Sequence, residues 1–205
     1  MKIYDLRTDT ITKPSDEMRR AIYEAECGDD VYMEDPTVNK LQEMSAEITG
    51  KEKSIFVASG TMGNLIPLLI LGSKTKQMLL DEESHIMHYE LGGASSLAGI
   101  MPLTVKADRG ILTKKTIENY FKEQPYYMTK INIVEIENTH NRHGGSVYKI
   151  DILKELYKFV KSKNIHLHMD GARVFNASIS SKTSVKDIAS NTDSITFCLS
   201  KGLGA

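Results

Sequence analysis

Residues 151–173, DILKELYKFVKSKNIHLHMDGAR, pass from one periodicity to another without a break. Ile152, Leu153, Leu156 and Val160 share a helical face, Asp151 stands at the start and lysines gather toward the end. That is the charge order a helix dipole favours. The run that follows, IHLHMD (165–170), is short and mostly apolar, and it ends on an acid followed by glycine. His166 and His168 project to one side of such a strand, and Leu167 and Met169 to the other. A helix feeding straight into such a strand is half of a βαβ unit.

Working outward, the same alternation recurs. SDEMRRAIYEAE (15–26) has Ser15 as a candidate N-cap with acids in its first turn. DPTVNKLQEMSAEITGK (35–51) offers Asp35 as cap, Pro36 at the first helical position, Val38, Leu41 and Ile48 on one face, and Gly50 as a stop. SIFVAS (54–59), QMLLD (77–81), INIVEIE (131–137) and SITFCLS (194–200) read as strands. The expected fold is α/β in three layers, with a mainly parallel sheet covered on both faces. There is no internal repeat, low-complexity segment or evident linker.

At 205 residues, 40% hydrophobic and 26% charged, the chain has the composition of a soluble globular protein. A net charge of −1 without a basic tail argues against nucleic acid or an anionic membrane as the main partner. The beginning, MKIYDLRTDT, lacks an apolar core, so no secretory signal is expected. The most apolar stretch, LIPLLIL (65–71), is too short to span a bilayer. Cys27 and Cys198 have no paired spacing; a reducing, cytosolic setting is expected, with both as core thiols.

Three strand-like runs end in a polar residue beside a glycine: Ser59-Gly60-Thr61, Asp170-Gly171-Ala172-Arg173 and Ser200-Lys201-Gly202. Open parallel sheets bind ligands just beyond the carboxyl ends of their strands. The first turn would expose backbone N–H groups at a helix start, a natural phosphate seat. It is neither a P-loop nor a dinucleotide fingerprint, and alone it reads as an ordinary strand-to-helix turn. A lysine near apolar surface is a candidate Schiff-base nucleophile, and a carboxylate is what a pyridinium nitrogen requires. From spacing alone, Lys201 could equally flank a strand and Asp170 cap a turn.

Seven segments occur together in one order: DLRTDTITKPSDEMRRA (5–21), GDDVYMEDPTVNKLQE (28–43), FVASGTMGNL (56–65), SHIMHYELGGASSLAG (84–99), EIENTHNRHGG (135–145), MDGARVFNA (169–177) and FCLSKGLGA (197–205). They cover essentially the whole chain. They resemble the threonine aldolase branch of the fold-type-I, aspartate-aminotransferase-like enzymes that use pyridoxal 5'-phosphate (PLP), within the β-eliminating lyase group. The resemblance implies that Lys201 forms the Schiff base with PLP and that Asp170 pairs with the pyridine nitrogen. Arg173 would lie beside the cofactor near its phenolic oxygen, Gly60 and Thr61 would bind the phosphate, and His85 would stack on the ring. Thr8 would face the substrate carboxylate.

The implied activity is that of a carbon–carbon lyase, cleaving L-threonine or L-allo-threonine to glycine and an aldehyde. His85 is the first candidate base for the β-hydroxyl proton and His140 the second. The runner-up readings are a β-eliminating lyase of the same fold, and a non-catalytic remnant that binds PLP or a partner chain. Relatives of this kind are cytoplasmic homodimers or homotetramers, with the GDDVYMEDPT loop a candidate contact. They also continue past the lysine. Residues 1–205 are therefore expected to hold the N-terminal arm and most of the PLP-binding large domain, without the C-terminal small domain. The arginine that grips the substrate carboxylate is missing too, since Arg7 has no such role in the family. Such a piece alone is expected to be poorly soluble or inactive.

Two positions depart from the family pattern: Met33 stands where glycine is common, and Cys27 where valine is usual. The methionine is expected to narrow its loop or shift the backbone. All six histidines fall in pairs, His85/His88, His140/His143 and His166/His168. None has the spacing of a known zinc motif, so no metal is expected; His166 and His168 are expected to cover the sheet beneath a helix.

Overall fold

The computed structural model describes residues 4–205. Its helices are α1 (Asp16–Glu24), α2 (Pro36–Thr49), α3 (Gly60–Leu71), α4 (His85–His88), α5 (Gly93–Ser96), α6 (Lys114–Ile117), α7 (Ile150–Ser162), α8 (Val174–Ser181) and α9 (Val185–Ala189). The strands are β1 (Gln77–Asp81), β2 (Met101–Val105), β3 (Ile131–Glu137), β4 (His166–Asp170) and β5 (Ser194–Thr196), all parallel, in the order β2-β1-β3-β4-β5.

Caps form as the sequence predicts. Ser15 Oγ accepts from Met18 N at 3.2 Å, and Asp35 Oδ1 accepts from Val38 N at 2.9 Å. Helix α2 closes on Gly50 in a left-handed conformation, φ 66°, which costs glycine nothing. Helices α6 to α9 cover one sheet face, where Leu153, Leu156 and Val160 of α7 pack with Leu79, Val134, Ile136, Leu167 and Met169. On the other face, Leu65 and Leu68 of α3 and Ala94 of α5 pack with Met78, Leu80 and Ile133. This second face turns polar toward the strand ends. The register sets Glu135 beside His168 and Ser194, and Glu137 beside Asp170 and Thr196. Alternation puts all six on the α3 side. One face is therefore core at its start and a candidate site at its end.

Several expectations need correction. SIFVAS (54–59) is not a strand, because α2 satisfies it instead: Gln42 Oε1 accepts from Phe56 N at 2.9 Å, and Ser54 Oγ donates to Gln42 O at 2.5 Å. SITFCLS is strand only over Ser194–Thr196, since its one neighbour, β4, ends at Asp170. Lys201 thus lies five residues beyond strand pairing, in a turn. Strand β2 emerges at the sheet edge, where Pro102 is tolerated because one side of the strand needs no donors. Cys27 is exposed on the loop after α1, and only Cys198 is a core thiol. No described helix is long and apolar enough to cross a membrane.

Met33 takes the left-handed backbone itself, φ 58° and ψ 33°, with its side chain in solvent, and its carbonyl accepts from Asn39 Nδ2 at 2.7 Å. A β-carbon in that region costs about 1–2 kcal/mol, partly offset by the smaller entropy loss of a non-glycine residue. Met33→Gly should therefore stabilise the fold by up to about 1 kcal/mol in denaturant titration. A clear loss of stability would mean that the methionine side chain contributes packing.

Candidate active site

Asp170 ends β4 with its side chain buried, and both oxygens are fixed. Asn64 Nδ2 donates to Oδ2 at 2.8 Å, and Ala172 N donates to Oδ1 at 3.0 Å. Asn64, one turn into α3, also donates to Glu90 Oε1 at 2.8 Å. With its NH2 group committed to two carboxylates, Asn64 presents Oδ1 as an acceptor to His168 Nε2, 3.2 Å away. His168 must then donate from Nε2 and accept at Nδ1 from Ser194 Oγ, at 2.8 Å. Burial pulls His168 down to about 4, so it is neutral. It does lie under a helix as the sequence implies, but as a support of Asp170. Below it, burial and then the charges of Asp170 and Glu137 push Glu135 well above the usual carboxylate range.

His85 opens α4, half-buried, with Nδ1 at 3.0 Å from Glu90 Oε1; its backbone N–H donates to Glu137 Oε2 at 3.0 Å. The carboxylate fixes a proton on Nδ1 and leaves Nε2 as the exchanging nitrogen. Its hydrogen bond raises His85 above the usual imidazole range, against the opposing effect of burial. Ligand atoms of His85, Glu90 and Asp170 lie within 4.8 Å of one another.

The remaining residues frame this cluster. Arg173 is gripped by Asp9 of the N-terminal arm, Nε to Oδ2 at 2.7 Å and Nη2 to Oδ1 at 2.9 Å. Thr8, the neighbour of Asp9, is exposed and caps a 3-10 turn, Oγ1 accepting from Thr10 N at 3.3 Å. Lys201 is half-buried, and its carbonyl accepts from Thr12 Oγ1 at 2.6 Å, tying its turn to the same arm. Gly60 and Thr61 begin α3, whose first N–H groups have no intrahelical partner. A β-carbon on Gly60 would come 2.9 Å from Cys198 Sγ, and one on Gly63 2.6 Å from Thr196 Cγ2, so glycine lets the helix start sit against the turn that leads to Lys201.

His140 lies elsewhere. It has no exposed surface, and its Nε2 is 3.2 Å from Asp81 Oδ1, with Glu137 between it and His85. Burial would raise the Asp81 carboxyl, but His140 and the N–H groups of Glu83 and Ala107 outweigh it and bring it to about 2. Sequence reasoning missed Asn64, Glu90 and Asp81. The one signal available was position, since Asn64 follows the Gly60 turn by a helical turn and Glu90 follows His85 closely.

A parallel sheet with a buried acid, a lysine and a helix start at its carboxyl edge defines an α/β protein of the PLP-enzyme architecture. The chain belongs to the β-eliminating lyase family, whose family model matches residues 5–205. That family is PLP-dependent. The chain is 40% identical over 201 residues to the low specificity L-threonine aldolase of Escherichia coli K12, covering 98% of this chain and 60% of the relative. It is 39% identical over 209 residues to low-specificity L-threonine aldolase 1 of Arabidopsis thaliana, covering 100% and 58%. A solved threonine aldolase from Leishmania major superposes with a TM-score of 0.76 at 24% identity, covering 91% of this chain and 55% of that one. This chain thus spans little more than half the length of the proteins it matches.

Neutral His168 makes the site acid-sensitive. The unfolded chain protonates this residue near 6.5, whereas the fold resists until about 4. Its contribution to stability is therefore complete above 6.5 and is lost as the pH falls toward 4. His85 acts in the opposite sense, favouring the fold below the usual imidazole pKa of about 6.5 and losing that contribution as pH rises through its raised value. His168→Gln should flatten the acid-side slope of stability in denaturant titrations between about pH 7 and 4. An unchanged slope would remove His168 as its source.

Proposed function

We propose that this chain is the N-terminal arm and most of the cofactor-binding domain of a PLP-dependent carbon–carbon lyase. Its reaction would be cleavage of L-threonine and L-allo-threonine to glycine and acetaldehyde. The observation that carries the reading is the junction of Asp170, Asn64, Glu90 and His85. It holds a buried carboxylate and a carboxylate-backed imidazole side by side at one strand end.

The residues fit PLP. Asp170 accepts from Asn64 Nδ2 at Oδ2 and from Ala172 N at Oδ1, which fixes the carboxyl group that would partner the pyridine nitrogen. The start of α3 offers the backbone N–H groups of Gly60 and Thr61 to a phosphate, while Ser59 Oγ caps Met62 N at 3.1 Å. Lys201, in the turn beyond β5, would supply the amine that holds the cofactor. When bound, PLP supplies an electron sink for the pair left on Cα. Asp170 would pair with the ring nitrogen of that group. Asp9 fixes the Arg173 guanidinium, which would lie beside the cofactor, and Thr8 is its neighbour on the same arm.

His85 takes the proton from the substrate β-hydroxyl at Nε2, while Glu90 holds Nδ1–H and stabilises the imidazolium that results. This is the division of labour of a base and its orienting carboxylate. A residue with no exposed surface is badly placed to take that proton, so His140 is given no direct step. Thr8 would face the substrate carboxylate. The whole enzyme is read as a cytosolic homodimer or homotetramer, without nucleic acid or membrane partners. Exposed Ile22 and Tyr23 of α1, with Val31 and Tyr32 of the following loop, support self-association, and two free cysteines fit a reducing compartment.

The full-length protein incubated with L-threonine, L-allo-threonine and β-chloroalanine should release glycine and acetaldehyde from the first two. Pyruvate from the third as the dominant product would overturn carbon–carbon cleavage in favour of β-elimination. Borohydride should fix the cofactor to the peptide containing Lys201, and Lys201→Ala should abolish that mass. His85→Asn should keep the bound cofactor's colour and lose turnover by about 10²–10⁴-fold. Undiminished turnover would remove His85 as the base.

A further inference from the structure

We propose that Asp81, His140 and His143 form a binding site for a divalent first-row transition ion of zinc-like character, separate from the cofactor site. The Nε2 atoms of His140 and His143 each lie 3.2 Å from Asp81 Oδ1. All three ligand atoms fall within 4.8 Å of one another. Zinc bonds of about 2.0–2.1 Å in tetrahedral geometry place neighbouring ligands ~3.4 Å apart, so both imidazole–carboxylate edges already match. The donor set, two imidazole nitrogens and one carboxylate oxygen, suits zinc and its neighbours, whereas calcium and magnesium prefer oxygen alone.

His140 is the second observation. It is completely buried, yet neither of its ring nitrogens makes a hydrogen bond. Nε2 stands at contact distance from Asp81 but off the line a hydrogen bond requires. An unsatisfied buried polar group is costly, and a cation between Nε2 and Oδ1 would satisfy it.

The surroundings are built for convergence. Gly110, at φ 72°, lies against both rings; a β-carbon there would fall 2.3 Å from His140 Cδ2 and 2.6 Å from His143 Cδ2. Asp81 is aimed by two backbone donors, Glu83 N to Oδ1 at 3.0 Å and Ala107 N to Oδ2 at 3.1 Å. On the far side of the His140 ring, Nδ1 faces Glu137 Oε2 at 3.7 Å, the carboxylate–histidine order that supports metal ligands. His143 is half-buried on the loop with Gly144 and Gly145, which leaves an entry path and a fourth position for water. The ion would clip the end of β1 to the 138–146 loop, and so hold Glu137 beneath His85.

Full-length protein, stripped with chelator, would be titrated with zinc alone by calorimetry, and with cobalt to read the ligand-field spectrum. The expected result is one equivalent per chain with a tetrahedral cobalt spectrum and a raised melting temperature. His143→Gln and Asp81→Asn should weaken binding at least about 10-fold, while His88→Gln, outside the cluster, should not. Unchanged binding in a folded His143→Gln variant, or no stoichiometric binding, would overturn the site. Titrating Lys201→Ala stripped of PLP separates the alternatives further, since loss of binding there would assign the ion to the cofactor instead.

Discussion

One amide group, that of Asn64, donates to two buried carboxylates, Glu90 and Asp170, at 2.8 Å each. Two carboxyl groups so close inside a protein need shared donors to satisfy their oxygens. Once the NH2 group is spent this way, the rest is forced. Asn64 Oδ1 needs a donor, which His168 supplies from Nε2, and because burial keeps the imidazole neutral its Nδ1 is left to accept from Ser194 Oγ. The network ties α3 to β4, β5 and the segment after α4. It therefore fixes where the start of α3 points, and a helix start is where an anion would bind.

The same constraint explains why the two sheet faces differ. Away from α3 the strands bury Leu79, Val134, Ile136, Leu167 and Met169, and that face serves stability alone. On the α3 side, apolar residues give way to Glu135, Glu137, His168 and Asp170 within a few residues of strand. A helix can lie over so polar a surface only by supplying hydrogen bonds and by coming close. Asn64 does the first, and Gly60 and Gly63 permit the second.

Where a local signal existed, the sequence was readable. Asp35, Pro36 and Gly50 mark α2 because capping is decided by neighbours in the chain, and β1, β3 and β4 appear as apolar runs for the same reason. Strand β2 and the loss of the 54–59 strand were hidden, since edge pairing and the reach of Gln42 depend on distant elements. The family motifs pointed to Asp170, His85 and Lys201. They were silent on Asn64, Glu90 and Asp81, whose roles arise from partners far away in sequence. The backbone at Met33 is a middle case: the departure from glycine was visible, but not that methionine would adopt the left-handed conformation itself.

Glu137 makes the two histidine clusters mechanically one. Its Oε2 accepts from His85 N and faces His140 Nδ1, and its Oε1 accepts from Asn141 N at 2.8 Å. A displacement of the 138–146 loop must therefore move the carboxylate that anchors the start of α4, and with it the imidazole assigned the proton transfer. Glu137 therefore couples the surroundings of His140 to the backbone of His85 through a single side chain. The site's geometry is thus set from below, by buried acids and their donors, while the arm is tied to its edge through Asp9 on Arg173 and Thr12 on the Lys201 carbonyl.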